Sequence, residues 1–98
     1  MAFTDEFDFD ILINEAEKLV VEEMGRQLDV YKVAVCRCET CLVDMAAMAL
    51  NSVKPLYRVS LLGTQYVAQA MSEASYAASL KQSVSKAIEK VRKNPAHD

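Results

Sequence analysis

Cys36-Arg37-Cys38-Glu39-Thr40-Cys41-Leu42-Val43-Asp44-Met45-Ala46-Ala47-Met48-Ala49-Leu50-Asn51 is the stretch that sets the architecture of this chain. Its second half is apolar nearly all round, contains no Gly or Pro, and reads as a helix from Cys41 to about Asn51, capped by Thr40 and stopped before Pro55. A helix with no broad polar face belongs in the middle of a core. Its one polar line is Cys41, Asp44 and Asn51, at spacings of three and seven.

Upstream, Asp29 to Glu39 holds Val30, Val33 and Val35 without helical spacing, an extended connector leading into the cysteines. Before it, Phe9, Ile13, Ala16, Val20, Met24 and Leu28 recur every three to four positions and predict a helix over about 8–28. Asp8 or Asp10 serves as its N-cap, and Glu15, Lys18, Glu22 and Arg26 form a solvated opposite face of alternating sign. Downstream, Lys54 to Ser60 reads as a Pro-initiated extended segment. Thr64 then caps a long helix over about 65–93, with Val67, Ala70, Ala74, Ala77, Val84, Ile88 and Val91 as its seam. A helix of that length outruns the others, and a second copy of the chain is the simplest cover for the excess.

The 98 residues suffice for a single domain, 1–98, and not for two. With only two Gly and two Pro, the expected fold is all-α: three to four helices with a cysteine knuckle between them. The formal charge of −3 divides unevenly: 5–29 carries nine acidic and two basic residues, 81–98 five basic and two acidic. This lacks the broad basic face of a duplex-DNA binder. No apolar run is long enough to span a membrane and the N-terminus does not resemble a signal peptide, so the expectation is a cytoplasmic protein with no membrane partner.

In a reducing compartment, Cys36-x-Cys38-x-x-Cys41 points to a metal rather than to disulfides. Three thiolates within six residues suit zinc, whose structural sites take four cysteines or three cysteines and a histidine. His97, the sole histidine, is the fourth ligand by chemistry; Glu39, Asp44, a water or a partner subunit are the alternatives. A Cys38-x-x-Cys41 redox pair is the competing reading, weakened by the lack of a βαβ pattern around it.

Asn14-x-x-Glu17-x-x-Val20, the cysteines with Asp44 three residues on, Ala47-x-Ala49-Leu50-Asn51 and Pro55-x-Tyr57-x-Val59 together resemble the ComFB (late competence) family over about residues 11–60. The resemblance implies a helical homodimer, structural zinc in members that have the cysteines, and binding of cyclic dinucleotides, notably cyclic di-GMP, by members in cyanobacteria and other bacteria. Zinc-binding members have a fourth cysteine that this chain lacks. A cyclic dinucleotide is a dianion with two flat purines and calls for cations beside stacking surfaces. Asn51, Lys54, Tyr57 and Arg58 are the candidate ligand-binding residues; as alternatives, Asn51 is a helix cap, Tyr57 a core aromatic, and the two cations plain surface charges.

No Gly-rich phosphate loop, HExxH or Ser–His pairing is found in the sequence, so a non-enzymatic regulator is expected. A zinc-stabilised dimeric adaptor for an unidentified protein partner, without nucleotide, is the alternative.

Overall fold

Asn14 fixes where the first long helix begins. Its side-chain oxygen accepts from the Ala16 amide at 3.1 Å and from the Leu56 amide at 2.8 Å, so one residue caps a helix and anchors a segment 42 positions away. The computed structural model describes residues 2–97. It opens with a short helix α1 (Phe3–Glu6), a 3-10 turn (Phe9–Ile11) and a two-residue strand β1 (Ile13–Asn14), and only then enters helix α2 (Glu15–Asp29). The expected start at Asp8 or Asp10 is therefore corrected: Asp8 caps the 3-10 turn alone, through the Asp10 amide at 2.9 Å. Ala16, Val20, Met24 and Leu28 form the buried stripe of α2, while Phe9 and Ile13, outside the helix, are exposed.

The expected solvated face of α2 holds at Lys18, Glu22 and Arg26, which are exposed, and not at Glu15, which is half-buried. Glu23 is buried and accepts from Arg26 Nε at 3.0 Å and Gln27 Nε2 at 2.9 Å. Glu15 reaches across to Arg58.

Helix α3 spans Glu39–Leu50, capped by Cys38 instead of Thr40. Cys41, Met45 and Ala49 make its buried face; Leu42, Ala46, Met48 and Leu50 are half-buried and Val43 is exposed, so α3 is central but open on one side. The extended segment after Pro55 contributes strand β2 (Tyr57–Arg58), which pairs antiparallel with β1, Ile13 opposite Arg58 and Asn14 opposite Tyr57. Glu15 N donates to Leu56 O at 2.9 Å and closes this junction.

The single helix expected over about 65–93 is two: α4 (Leu61–Met71) and α5 (Ala74–Lys93). Ser60, one turn before Thr64, caps α4 by accepting from the Gly63 amide at 3.2 Å. Ser72 ends it, its hydroxyl donating to Gln69 O at 2.7 Å and its amide to Ala68 O and Gln69 O. The break resets the register: Ala74 and Ala77 are exposed, and Tyr76, Leu80, Val84, Ala87, Ile88 and Val91 form the buried stripe of α5. Two shorter helices remove the excess length that called for a partner copy.

Packing follows from these faces. Helix α5 lies across α3 and α2, and α4 packs on β2 and α5. Met45, Leu56, Ile88, Val20 and Val84 are fully enclosed, each stabilising the fold by about 1.5–3 kcal/mol relative to exposure. The outcome is a mostly helical domain with one two-stranded ribbon. Among the described residues, no helix is long and apolar enough to cross a membrane.

Candidate metal centre

Two segments far apart in sequence converge at one end of the domain. The first is the connector from α2 to α3. Arg37 Nη2 donates to Leu28 O at 2.8 Å, satisfying a carbonyl at the end of α2 and turning the chain toward α3. Arg37 thus serves a helix end. Tyr31 ties the connector to α5, its hydroxyl donating to Glu89 Oε2 at 2.9 Å. Cys38 then caps α3, its sulfur accepting from the Cys41 amide at 3.4 Å.

The second segment is the end of α5. Arg92 Nη2 and Lys93 Nζ both meet Glu89 Oε1. Asn94 closes the helix on Lys90 O, and Pro95 forbids its continuation. The tail then brings His97 Nε2 to 3.2 Å from Cys36 Sγ.

Cys36, Cys38, Cys41 and His97 each offer one ligand atom, and these atoms all lie within 4.8 Å of one another. Zinc–sulfur bonds of about 2.3 Å in a tetrahedron set ligand atoms about 3.8 Å apart, so shifts of about 1 Å close this group on an ion. The donor set, three sulfurs and an imidazole nitrogen, is that of a structural Cys3His site. Cys41 is buried, Cys36 half-buried and Cys38 exposed. His97 holds the Cys36 thiol down to about 6, helped by Cys38 and Cys41, so it is largely thiolate at neutral pH. Cys41 is raised: a hydrogen bond from the Ala96 backbone works against the shift, but burial and the sulfurs of Cys38 and Cys36 outweigh it. Glu39 and Asp44, the alternative fourth ligands, lie outside the group.

The candidate ligand-binding residues are not gathered as tightly. Asn51 is the C-cap of α3, with its amide on Ala47 O at 3.1 Å. Tyr57 is 52% exposed and is no core aromatic. Lys54 Nζ sits 5.2 Å from the centroid of Tyr66, a cation–π contact that places Tyr66 on the surface and not in the packing. Arg58 is engaged by Glu15, with Nε–Oε1 at 2.8 Å and Nη2 on the same oxygen. The two cations line different hollows. Arg58 and Glu15 border a groove of about 490 Å³ floored by Val67 and Met71. Lys54 borders one of about 190 Å³ beside Glu73 and Tyr76.

Sequence reasoning missed Glu89. Arg92, then Tyr31, holds its carboxyl down to about 2. The Glu89-x-x-Arg92 spacing signals the helical pair; nothing local signals Tyr31.

Comparison with known proteins agrees with the fold. The family description "Late competence development protein ComFB" matches residues 13–95, well past the ribbon and into the tail, so the chain belongs to the ComFB family. A solved structure, the late competence protein ComFB from Bacillus subtilis, is similar with a TM-score of 0.64 and 27% identity, covering 87% of this chain and 94% of that one. No curated protein matches the chain.

Proposed function

We propose that this chain is a non-enzymatic, cytoplasmic regulatory module: a homodimer stapled by one zinc ion per copy that receives cyclic di-GMP and thereby adjusts its grip on a protein partner. The observation that carries the metal part is the meeting of Cys36, Cys38, Cys41 and His97 from opposite ends of the chain. Zinc is the ion because the donors are soft and the arrangement is four-coordinate.

The nucleotide part is supported by family membership and by the chemistry of Lys54, Tyr57 and Arg58. Tyr57 offers a ring to a purine, and Arg58 a bidentate guanidinium, now held by Glu15. A ligand phosphate would have to displace that carboxylate. Titration calorimetry with cyclic di-GMP and cyclic di-AMP tests the reading, on wild type and on Arg58→Ala and Glu15→Gln. The expected result is heat with cyclic di-GMP, weakening by about 1–3 kcal/mol in Arg58→Ala and tightening in Glu15→Gln. No heat and no thermal shift with either nucleotide would reject it.

A second reading has its own observation. Between α2 and α3 runs a groove of about 590 Å³ lined by Val21, Met24, Leu28, Val43, Ala47 and Leu50, with Glu17 at its rim. Such an apolar trough suits a partner's helix, as an adaptor without nucleotide would need. A protein complex formed without nucleotide, with no heat from either cyclic dinucleotide, favours this reading over the first.

A further inference from the structure

Cys38 is the N-cap of α3, and Cys41 stands in the first turn of the same helix. Positions three apart on a helix have Cα atoms about 5 Å from each other, within the range of about 4.4–6.8 Å over which a disulfide closes without moving the backbone. The two sulfurs already lie within 4.8 Å of one another, and Cys38 Sγ accepts from the Cys41 amide at 3.4 Å. Their exposures are opposite: Cys38 is open to solvent, whereas Cys41 is 0% exposed. An accessible cysteine beside a shielded one is the arrangement in which the first meets an oxidant and the second resolves the product. Cys36 is placed differently. It stands on the connector before the helix, half-buried, with its sulfur 3.2 Å from His97 Nε2.

The tail is tied to the same sulfurs. His97 meets Cys36, and the Ala96 backbone hydrogen-bonds to Cys41. A structural zinc site takes four ligands, and a cysteine ligates as its thiolate. A bridge between Cys38 and Cys41 removes two of them and leaves one sulfur and one imidazole, too few to hold the ion. A fourth cysteine would leave two sulfurs, able to close a second bridge. With His97 in that place, oxidation stops at one disulfide and Cys36 remains a thiol.

We propose that Cys38 and Cys41 are a peroxide-sensitive pair whose disulfide expels the ion and frees the tail at His97, giving the knuckle a metal-bound and an oxidised state. The proposal rests on the zinc reading above and adds the residues and the reaction that undo it. The Cys38 thiolate attacks one oxygen of hydrogen peroxide. The O–O bond breaks, hydroxide departs and takes a proton from solvent, and Cys38 carries a sulfenic acid. The Cys41 thiolate then attacks that sulfur, the S–O bond breaks, and a second hydroxide leaves and is protonated. The pair has lost two electrons, and one hydrogen peroxide has become two waters.

The test treats the zinc-loaded full chain with low-millimolar hydrogen peroxide, following zinc with a chromogenic chelator and counting thiols in denaturant. Alkylation and tryptic mapping separate the possible bridges, because cleavage at Lys32 and Arg37 puts Cys36 on a peptide of its own and Cys38 with Cys41 on the next. The expected result is one zinc released per disulfide, a fall from three thiols to one, and a bridge within the Cys38–Cys41 peptide while Cys36 is alkylated. Dithiothreitol with added zinc should restore the starting state, and the Ala96 amide should exchange at least tenfold faster in the oxidised chain. In Cys38→Ser at saturating zinc, thiol loss should slow at least tenfold; if that variant does not fold, the wild-type map decides. A bridge from Cys36, crosslinked chains, sulfinic acid without a bridge, or zinc retained with all thiols intact overturns the pair and leaves the metal site standing. A chain that takes up no zinc ends both.

Discussion

The knuckle and the ribbon each join segments distant in sequence, and they do so by opposite means. At the knuckle, four side-chain donors from 36–41 and 97 converge on one point. At the ribbon, one side-chain oxygen of Asn14, the pairing of 13–14 with 57–58 and a Glu15–Arg58 pair share the task. On the proposed zinc reading the first junction depends on an ion and fails all at once. The second is built of parts that are lost one at a time. Strong, concentrated junctions leave a compositional mark, whereas distributed ones are written in ordinary residues.

Experiments that sharpen this contrast rank by size. Stripping metal from the protein at neutral pH should cost the most, about 3 kcal/mol or more and thus at least about 12 °C in melting temperature for a domain of this size. An unchanged melt after verified metal removal would erase the difference between the junctions. Asn14→Ala removes the acceptor of two amides and should destabilise by about 1–2 kcal/mol in denaturant titrations, with metal content untouched. His97→Ala should leave the fold intact at saturating zinc but weaken the ion's hold at least roughly tenfold in chelator competition, since even outer-sphere losses cost that much. Arg58→Ala loses a half-exposed ion pair and should cost only about 0.5–1 kcal/mol.

The smallest effect concerns Glu89, which links connector and α5 beside the knuckle. Its carboxyl is depressed to about 2 by Arg92 and Tyr31. A depressed acid stabilises the fold fully above its ordinary value, near 4.5, and loses that contribution as pH falls through about 2. In metal-free protein, Glu89→Gln should therefore melt lower than wild type at pH 6 and converge with it near pH 2. A gap that persists at low pH would assign the difference to something other than this titration.

The legible parts of the fold were those with a strong local period or a rare residue type. Ala16, Val20, Met24 and Leu28 announce the stripe of α2, and the cysteine spacing announces the knuckle. The start of α2 was hidden because Asn14 earns its role from Leu56, 42 residues on. The break after Met71 was hidden because no Gly or Pro marks it; Ser72 and Glu73 end one helix and begin another because α4 follows β2 while α5 follows α3 and α2. The true α5 stripe, Tyr76, Leu80, Val84, Ile88, has an unbroken four-residue step, but alanines at 74 and 77 offered a competing seam. Arg58 pairs with Glu15 and the Lys54 carbonyl accepts from the Tyr76 hydroxyl, and contacts across 43 and 22 positions have no local signature.

With an ion held between Cys36 and His97, the chain from the knuckle onward becomes a closed ring. The exposed bend at Ser72–Glu73 lies inside that ring. On the proposed zinc reading, a protease that cuts there would leave two fragments still tied together through the ion as well as through the packing of α5.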